Sequence, residues 1–134
     1  MLLFRIEHPT DPDRCGPYNG PEWPNQWVMA SDHRDDDHPH PLVDPQLGMC
    51  KRGVEFCACD SPASLLDWFE GWFEELHAAG YEVVIIEVGE DDARVGYAGQ
   101  ALFDRSASTV VEHLPIPMFT DLFADTHVDD LVPA

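Results

Sequence analysis

The sequence predicts a small α+β domain in which one main amphipathic helix packs on one face of a mostly antiparallel sheet. Three observations support this: helical periodicity between Ser61 and Ala79, a β-branched run from Tyr81 to Val88, and an alternating segment from Leu2 to His8. The chain has 134 residues, of which 44% are hydrophobic, so it can bury a core of its own. We therefore expect residues 1–134 to form a single domain.

The first eight residues predict a strand, because large apolar side chains alternate along Leu2 to His8 and Pro9 cannot donate to a strand ladder. Residues 9–48 are crowded with proline, aspartate, glycine, asparagine and histidine, which predicts a long irregular loop. At most one short strand, near Trp27, is expected inside it. A loop of this length favours a functional surface or a mobile segment.

The clearest element is a helix from Ser61 to Ala79. Ser61 suits the N-cap, Pro62 suits the first helical position, and Gly80 suits the position just past the end. At 100° per residue one face is apolar and the opposite face is acidic, as in a helix that packs on a core. The apolar face comprises Leu65, Trp68, Phe69, Trp72, Phe73 and Leu76, and the acidic face comprises Asp67, Glu70 and Glu74.

The C-terminal half predicts further strands. Tyr81 to Val88 is apolar on both faces, which is typical of a strand inside a sheet. Residues 89–92 read as a turn, and Arg94 to Asp104 as one or two strands that form a hairpin with the preceding strand. Thr109 to Leu114 favours another strand and Met118 to Ala124 a turn of helix. Residues 125–134 are expected to be a loose tail.

The charge balance excludes some partners. The chain has 26 acidic residues against 7 lysines and arginines, a formal net charge of -19, which repels nucleic acids and anionic membranes and attracts basic protein surfaces. Residues 1–60 hold 11 acids and 5 basic residues, net -6, whereas residues 61–134 hold 15 acids and only Arg94 and Arg105, net -13. With neither a signal peptide nor a membrane-length apolar run, we expect a cytoplasmic protein.

We therefore predict a surface that binds a basic, nucleic-acid-handling protein, with rows of carboxylates occupying the partner's nucleic-acid channel. The alternative is that the charge only keeps the molecule in solution. The predicted partner-binding residues are Asp67, Glu70, Glu74, Glu75, Glu82, Glu87, Glu90, Asp91 and Asp92.

A small zinc-binding protein is a second possibility. Thiolates and imidazoles are zinc ligands, but the single residue between Cys57 and Cys59 is shorter than the usual two-residue gap, which favours reduced thiols. The segment Asp32 to His40 is rich in carboxylates and imidazoles, yet it lacks the glycine and terminal glutamate of a calcium loop, which favours a solvated charge run. The candidate zinc ligands are Cys50, Cys57 and Cys59, with a fourth from Cys15, His33, His38 or His40.

The sequence contains no glycine frame around a nucleophile and no phosphate-binding glycine loop, so we predict no catalytic residue and no cofactor. One enzymatic alternative stays open. Four scattered residues resemble those of small NAD-using ADP-ribosyltransferases, and they are Arg5, His8, Tyr97 and Gln100.

Short segments also resemble small acidic accessory proteins of phages and prophages. They are Arg5-Ile6-Glu7-His8, Gly16-Pro17-Tyr18, Ser61 to Phe69, and Gly99-Gln100 before Phe103-Asp104. Acidic inhibitors of host nucleases and CRISPR complexes are frequent in that group. The resemblance therefore implies an anti-defence inhibitor acting by nucleic-acid mimicry in the host cytoplasm.

Overall fold

A computed structural model describes residues 1–35, 38–41, 44–50 and 54–131, with side chains described as far as Phe123. Within these residues the chain forms a sheet with helices packed on it, which confirms the α+β class. The elements are β1 Leu2–Glu7, α1 Gln26–Asp32, β2 Glu55–Cys59, α2 Pro62–Trp68, α3 Phe73–Ala78, β3 Glu82–Val88, β4 Ala93–Val95, β5 Gln100–Asp104, β6 Ser108–Pro115 and α4 Ile116–Leu131.

The sheet has the strand order β4-β5-β2-β1-β3-β6, and every neighbouring pair is antiparallel. β3 lies between β1 and β6, which confirms that the β-branched run from Tyr81 to Val88 forms an interior strand. The strand predicted over Thr109 to Leu114 is confirmed as β6. β2 was missed, because its small Cys and Ala side chains carry little strand preference and its position depends on pairing with β5.

The predicted hairpin between the strands before and after residues 89–92 is wrong. β3 pairs with β1 and β6, whereas β4 pairs with β5. Glu90–Asp92 form a 3₁₀ turn that redirects the chain instead of folding it back on itself. The reversal comes later, before β5, where Gly99 has a φ of 80° that side chains disfavour. Residues 82–115 thus form one long hairpin that bends midway.

The bend makes the sheet curl. β5 and β6 lie four positions apart, about 19 Å in a flat sheet, yet the connection Arg105–Ala107 spans only about 14 Å when extended. The sheet must therefore close around one face, which we call the inner face. Its core takes side chains from every strand: Leu3, Phe56, Ala58, Val84, Ile86, Val88, Ala93, Val95, Ala101, Phe103 and Val110.

Helices α2, α3 and α4 cover the other face of the sheet. Phe4 of β1 contacts Phe119 of α4 with ring centroids 6.4 Å apart, and Leu65, Leu76 and Phe119 are fully buried. This outer core is continuous with Met29 of α1. The two cores on opposite faces hold the surface elements in fixed positions.

The predicted single helix from Ser61 to Ala79 is wrong, because the chain breaks into α2 and α3. Gly71 has a φ of 86°, a left-handed conformation that ends a right-handed helix and suits glycine. The predicted start is confirmed: Ser61 Oγ accepts from the Ser64 amide at 3.1 Å, and Pro62 occupies the first position. The glycine stop is also confirmed, since Gly80 has a φ of 93°.

The strand expected near Trp27 is wrong as well, because that segment is the helix α1 inside the predicted irregular region. At the other end, the expected turn of helix is longer than predicted, as α4 runs from Ile116 to Leu131. Residues 132–134 of the expected tail lie outside the described residues.

Candidate interaction surface

Four predicted contact residues lie on the helical layer and are called here the helix acids: Asp67, Glu70, Glu74 and Glu75. Asp67 and Glu70 are exposed around the end of α2, and Glu74 is exposed in the first turn of α3. Glu75 is half-buried, and its Oε1 accepts from Asn25 Nδ2 at 2.5 Å. The break at Gly71 thus places Asp67 on α2, Glu70 in the connection, and Glu74 and Glu75 on α3 instead of on one long face.

Four others lie at the C-terminal end of β3 and in the turn that follows it, and they are called the turn acids: Glu87, Glu90, Asp91 and Asp92, all exposed. Asp91 and Asp92 line a cleft of about 170 Å³ together with Glu55, Arg94 and Asp104. Glu82, the ninth, lies at the opposite end of β3, about 17 Å away from Glu87. Its Oε1 is 2.6 Å from His113 Nδ1.

The two cations of the acidic half are both engaged by carboxylates from the first half. Arg94 Nη2 donates to Glu55 Oε1 at 2.6 Å, and Arg94 also donates to the carbonyls of Leu47 and Met49. Arg105 donates to both carboxylate oxygens of Glu7. Neither arginine pairs with a helix acid or a turn acid in the described part of the chain, so the two cations of the acidic half do not directly neutralise these carboxylates.

Glu7 is the centre of a buried ionic network at one end of the sheet. Glu7 is 3% exposed and accepts from Arg5 Nε at 2.9 Å. The guanidinium groups of Arg5 and Arg105 lie 5.1 and 5.7 Å from the ring centroid of Phe56. Burial lowers the pKa of Arg5, and the Glu7 carboxylate opposes this shift. The network holds the curled sheet together and leaves these charges little contact with solvent.

The four transferase candidates occupy different environments. Arg5 belongs to the buried network, and Tyr97 is 58% exposed with its amide bonded to Asp44. Gln100 is buried, and its Oε1 has no partner among the described residues. His8 Nε2 donates to the carbonyl of Ala79 at 3.1 Å.

Of these four, only His8 lines the larger cleft, which lies beyond the end of β1 and measures about 230 Å³. Small-molecule pockets usually begin at about 300 Å³, and this cleft is mostly lined by local turn residues. The lining residues are Glu7, His8, Pro9, Thr10, Asp11, Pro12, Arg14, Glu82 and His113.

The zinc candidates are dispersed too. Cys59 is 4% exposed, and burial raises the pKa of its thiol and, to a lesser extent, those of Cys57 and Cys15. A raised thiol pKa disfavours the thiolate that metals and electrophiles require. Across residues 1–35, 38–41, 44–50 and 54–131, no three metal-ligating side chains are placed to hold an ion.

Two histidines of the predicted charge run, His33 and His38, pack instead on α2. The rings of His33 and His38 stack with centroids 4.1 Å apart, and His38 Nε2 donates to the Trp68 carbonyl at 2.9 Å. The Tyr18 hydroxyl accepts from Trp68 Nε1 and bonds His33 Nδ1. Burial, reinforced by the charge of His38, lowers the pKa of His33 to about 4. Asp36 and Asp37 of this run lie outside the described residues.

One exposed residue was missed by the sequence analysis. Trp27 is 82% exposed on α1, although tryptophan is usually largely buried. Helical periodicity over α1 could have identified it, because Gln26 and Met29 then lie on the side that faces the core and Trp27 does not.

Comparisons with known proteins give one result. The family model described as Bacteriophage T4 Y00F protein matches residues 1–117. No curated protein and no solved structure gives a significant match. None of the helices in the described ranges combines the length and apolar character needed to cross a bilayer. The matched range contains all six described strands and α1 to α3, and the chain therefore belongs to the Bacteriophage T4 Y00F protein family.

Proposed function

We propose that this phage-family protein is an acidic binding protein that inhibits a basic, nucleic-acid-handling protein of the host. The helix acids and the turn acids form its contact surfaces and occupy positions on the partner that nucleic-acid phosphates otherwise take. The anionic surface would increase the rate of association with a positively charged cleft and disfavour direct contact with nucleic acid.

The observation that supports this proposal is that Arg94 and Arg105 form ion pairs with carboxylates of the first half of the chain. A protein that needed only solubility would have mixed charges on its surface, because interspersed charges of both signs keep a domain in solution. Here both cations of the acidic half bind Glu55 and Glu7, and within the described residues neither pairs with a helix acid or a turn acid. The field outside the helix acids and turn acids is therefore more negative than solubility requires.

The proposal is tested by capture and competition. Immobilised protein is incubated with lysate of the host bacterium, and captured proteins are eluted with NaCl from about 0.05 to about 0.5 M, since screening shortens the reach of exposed charges over this range. A captured protein is then purified and titrated with a labelled oligonucleotide in the presence of the acidic protein. We expect one dominant basic partner, strongly salt-dependent affinity, and displacement of the oligonucleotide.

Three variants that each remove three negative charges locate the surface. One neutralises helix acids (Asp67→Asn, Glu70→Gln, Glu74→Gln), one neutralises turn acids (Glu90→Gln, Asp91→Asn, Asp92→Asn), and the matched control neutralises exposed acids elsewhere (Asp13→Asn, Glu112→Gln, Asp121→Asn). We expect the first two to weaken binding at least about tenfold more than the control, as three lost charge contacts imply. Equal effects of all three, or undiminished oligonucleotide binding by the partner, would refute the proposal.

A further inference from the structure

Helix α1 exposes an aromatic side chain on one side while its other side is anchored to the core. Met29 is fully buried in the outer core, and Gln26 Nε2 donates to the Pro17 carbonyl at 3.0 Å. On the outward side, Trp27 is 82% exposed and its neighbour Val28 is 51% exposed. Because the other side of α1 is anchored, the backbone that carries the indole is already ordered, which lowers the entropy cost of binding there.

Acidic residues flank this indole along the chain and on the adjoining helix α3. Asn25 bonds Glu75, and the rings of Trp23 and Trp72 lie 6.0 Å apart, so the start of α1 adjoins the start of α3 and its helix acids. Glu22 and Asp32 are exposed on either side of Trp27 along the chain. From Cys15 to Asp32 the sequence contains no lysine or arginine. An aromatic residue with a charged border is typical of the centre of a protein interface.

We propose that Trp27 is the contact site for an arginine side chain of the basic partner, so that the protein recognises arginine-rich segments in preference to lysine-rich ones. This inference rests on the proposed function and assigns its central contact. A guanidinium group stacks on an indole face through cation–π attraction while its N–H groups donate to carboxylates. Lysine offers a strongly hydrated point charge without a planar surface, and it gains less from the same site.

The charge complementarity of the site selects this occupant over an apolar one. A purely hydrophobic partner would bury Trp27 and Val28 but would leave the adjoining carboxylates facing apolar surface, which is unfavourable without partners. An arginine satisfies both the ring and the carboxylates. The same site would also exclude nucleic acid, whose phosphates the acidic border repels.

The test compares nona-arginine with nona-lysine, two peptides of equal charge, by isothermal titration calorimetry at low salt. For one engaged guanidinium at an exposed ring we expect the arginine peptide to bind about two- to fivefold more tightly. Trp27→Ala should abolish this preference and weaken the binding of nona-arginine more than that of nona-lysine. Tyr97→Ala, which removes an exposed aromatic residue on the β4–β5 turn, is the matched control and should retain the preference.

The outcomes separate this inference from the proposed function. Equal binding of the two peptides by the wild-type protein, or an arginine preference that survives Trp27→Ala, overturns the role of Trp27 while leaving an acidic binding surface in place. If neither peptide binds at low salt, the proposed function itself fails. Circular dichroism of Trp27→Ala confirms that the fold is retained, as expected for a side chain that is largely in solvent.

Discussion

Replacing Glu7 with glutamine, a side chain of nearly the same size and shape, should destabilise the protein severely. Glu7 is 3% exposed and accepts from both Arg5 and Arg105. Glu7→Gln removes the carboxylate that both arginines bind and leaves two guanidinium groups close to each other, with Arg5 itself 8% exposed. Arg5 keeps its bonds to the carbonyls of Cys57 and Arg14, but those neutral acceptors cannot balance its charge.

Breaking a buried ion pair by removing one partner costs about 3–5 kcal/mol. The amide of glutamine still accepts one hydrogen bond, and Arg105 retains some access to solvent, so the lower end of this range applies. We expect the free energy of unfolding to fall by about 3 kcal/mol and Tm to fall by about 10 °C for a domain of this length. That loss is a large fraction of the roughly 5–15 kcal/mol by which domains are stable.

Urea denaturation followed by circular dichroism measures this loss. The control is Glu87→Gln, the same substitution at an exposed position, which should change stability by less than about 0.5 kcal/mol. A double-mutant cycle with Arg105→Met should give a coupling energy above about 1 kcal/mol, since the two side chains share a direct ion pair. A loss below about 1 kcal/mol for Glu7→Gln, or no coupling, would refute the view that this network holds the curled sheet.

Two further measurements test other elements. Gly71 has left-handed backbone, and a Cβ added there would meet open space, so Gly71→Ala should lower the free energy of unfolding by about 1–2 kcal/mol through backbone strain alone. Gly71→Asn should cost less, because asparagine tolerates this conformation better. Equal stability of the alanine variant and the wild type would show that the break does not need glycine. The pKa of His33 is lowered from 6.5 to about 4, so the folded state binds fewer protons than the unfolded state between these pH values. The contribution of neutral His33 to stability is therefore complete above pH 6.5 and is lost as the pH falls to about 4. His33→Gln should flatten the difference in urea midpoint between pH 7 and pH 4.5, and an unchanged pH dependence would contradict this assignment.

The candidate surface could be predicted only in part. The sequence identified the excess of carboxylates in residues 61–134, because charge can be counted without a fold. It did not reveal that Arg94 and Arg105 turn inward to Glu55 and Glu7, since each of these pairs joins residues far apart in the chain. The exposure of Trp27 was also not predicted, because it depends on which side of α1 packs on the core.

Local signals in the sequence determined where the chain prefers helix or strand. Alternation in the first strand, the β-branched run of β3, and the Ser61 and Gly80 caps were sufficient, because each acts within a few residues. Only the tertiary structure decided which strands pair, where the long helix breaks, and which charges are buried. Those outcomes depend on closure of the sheet around its inner face, a contact among all six described strands that no local pattern encodes.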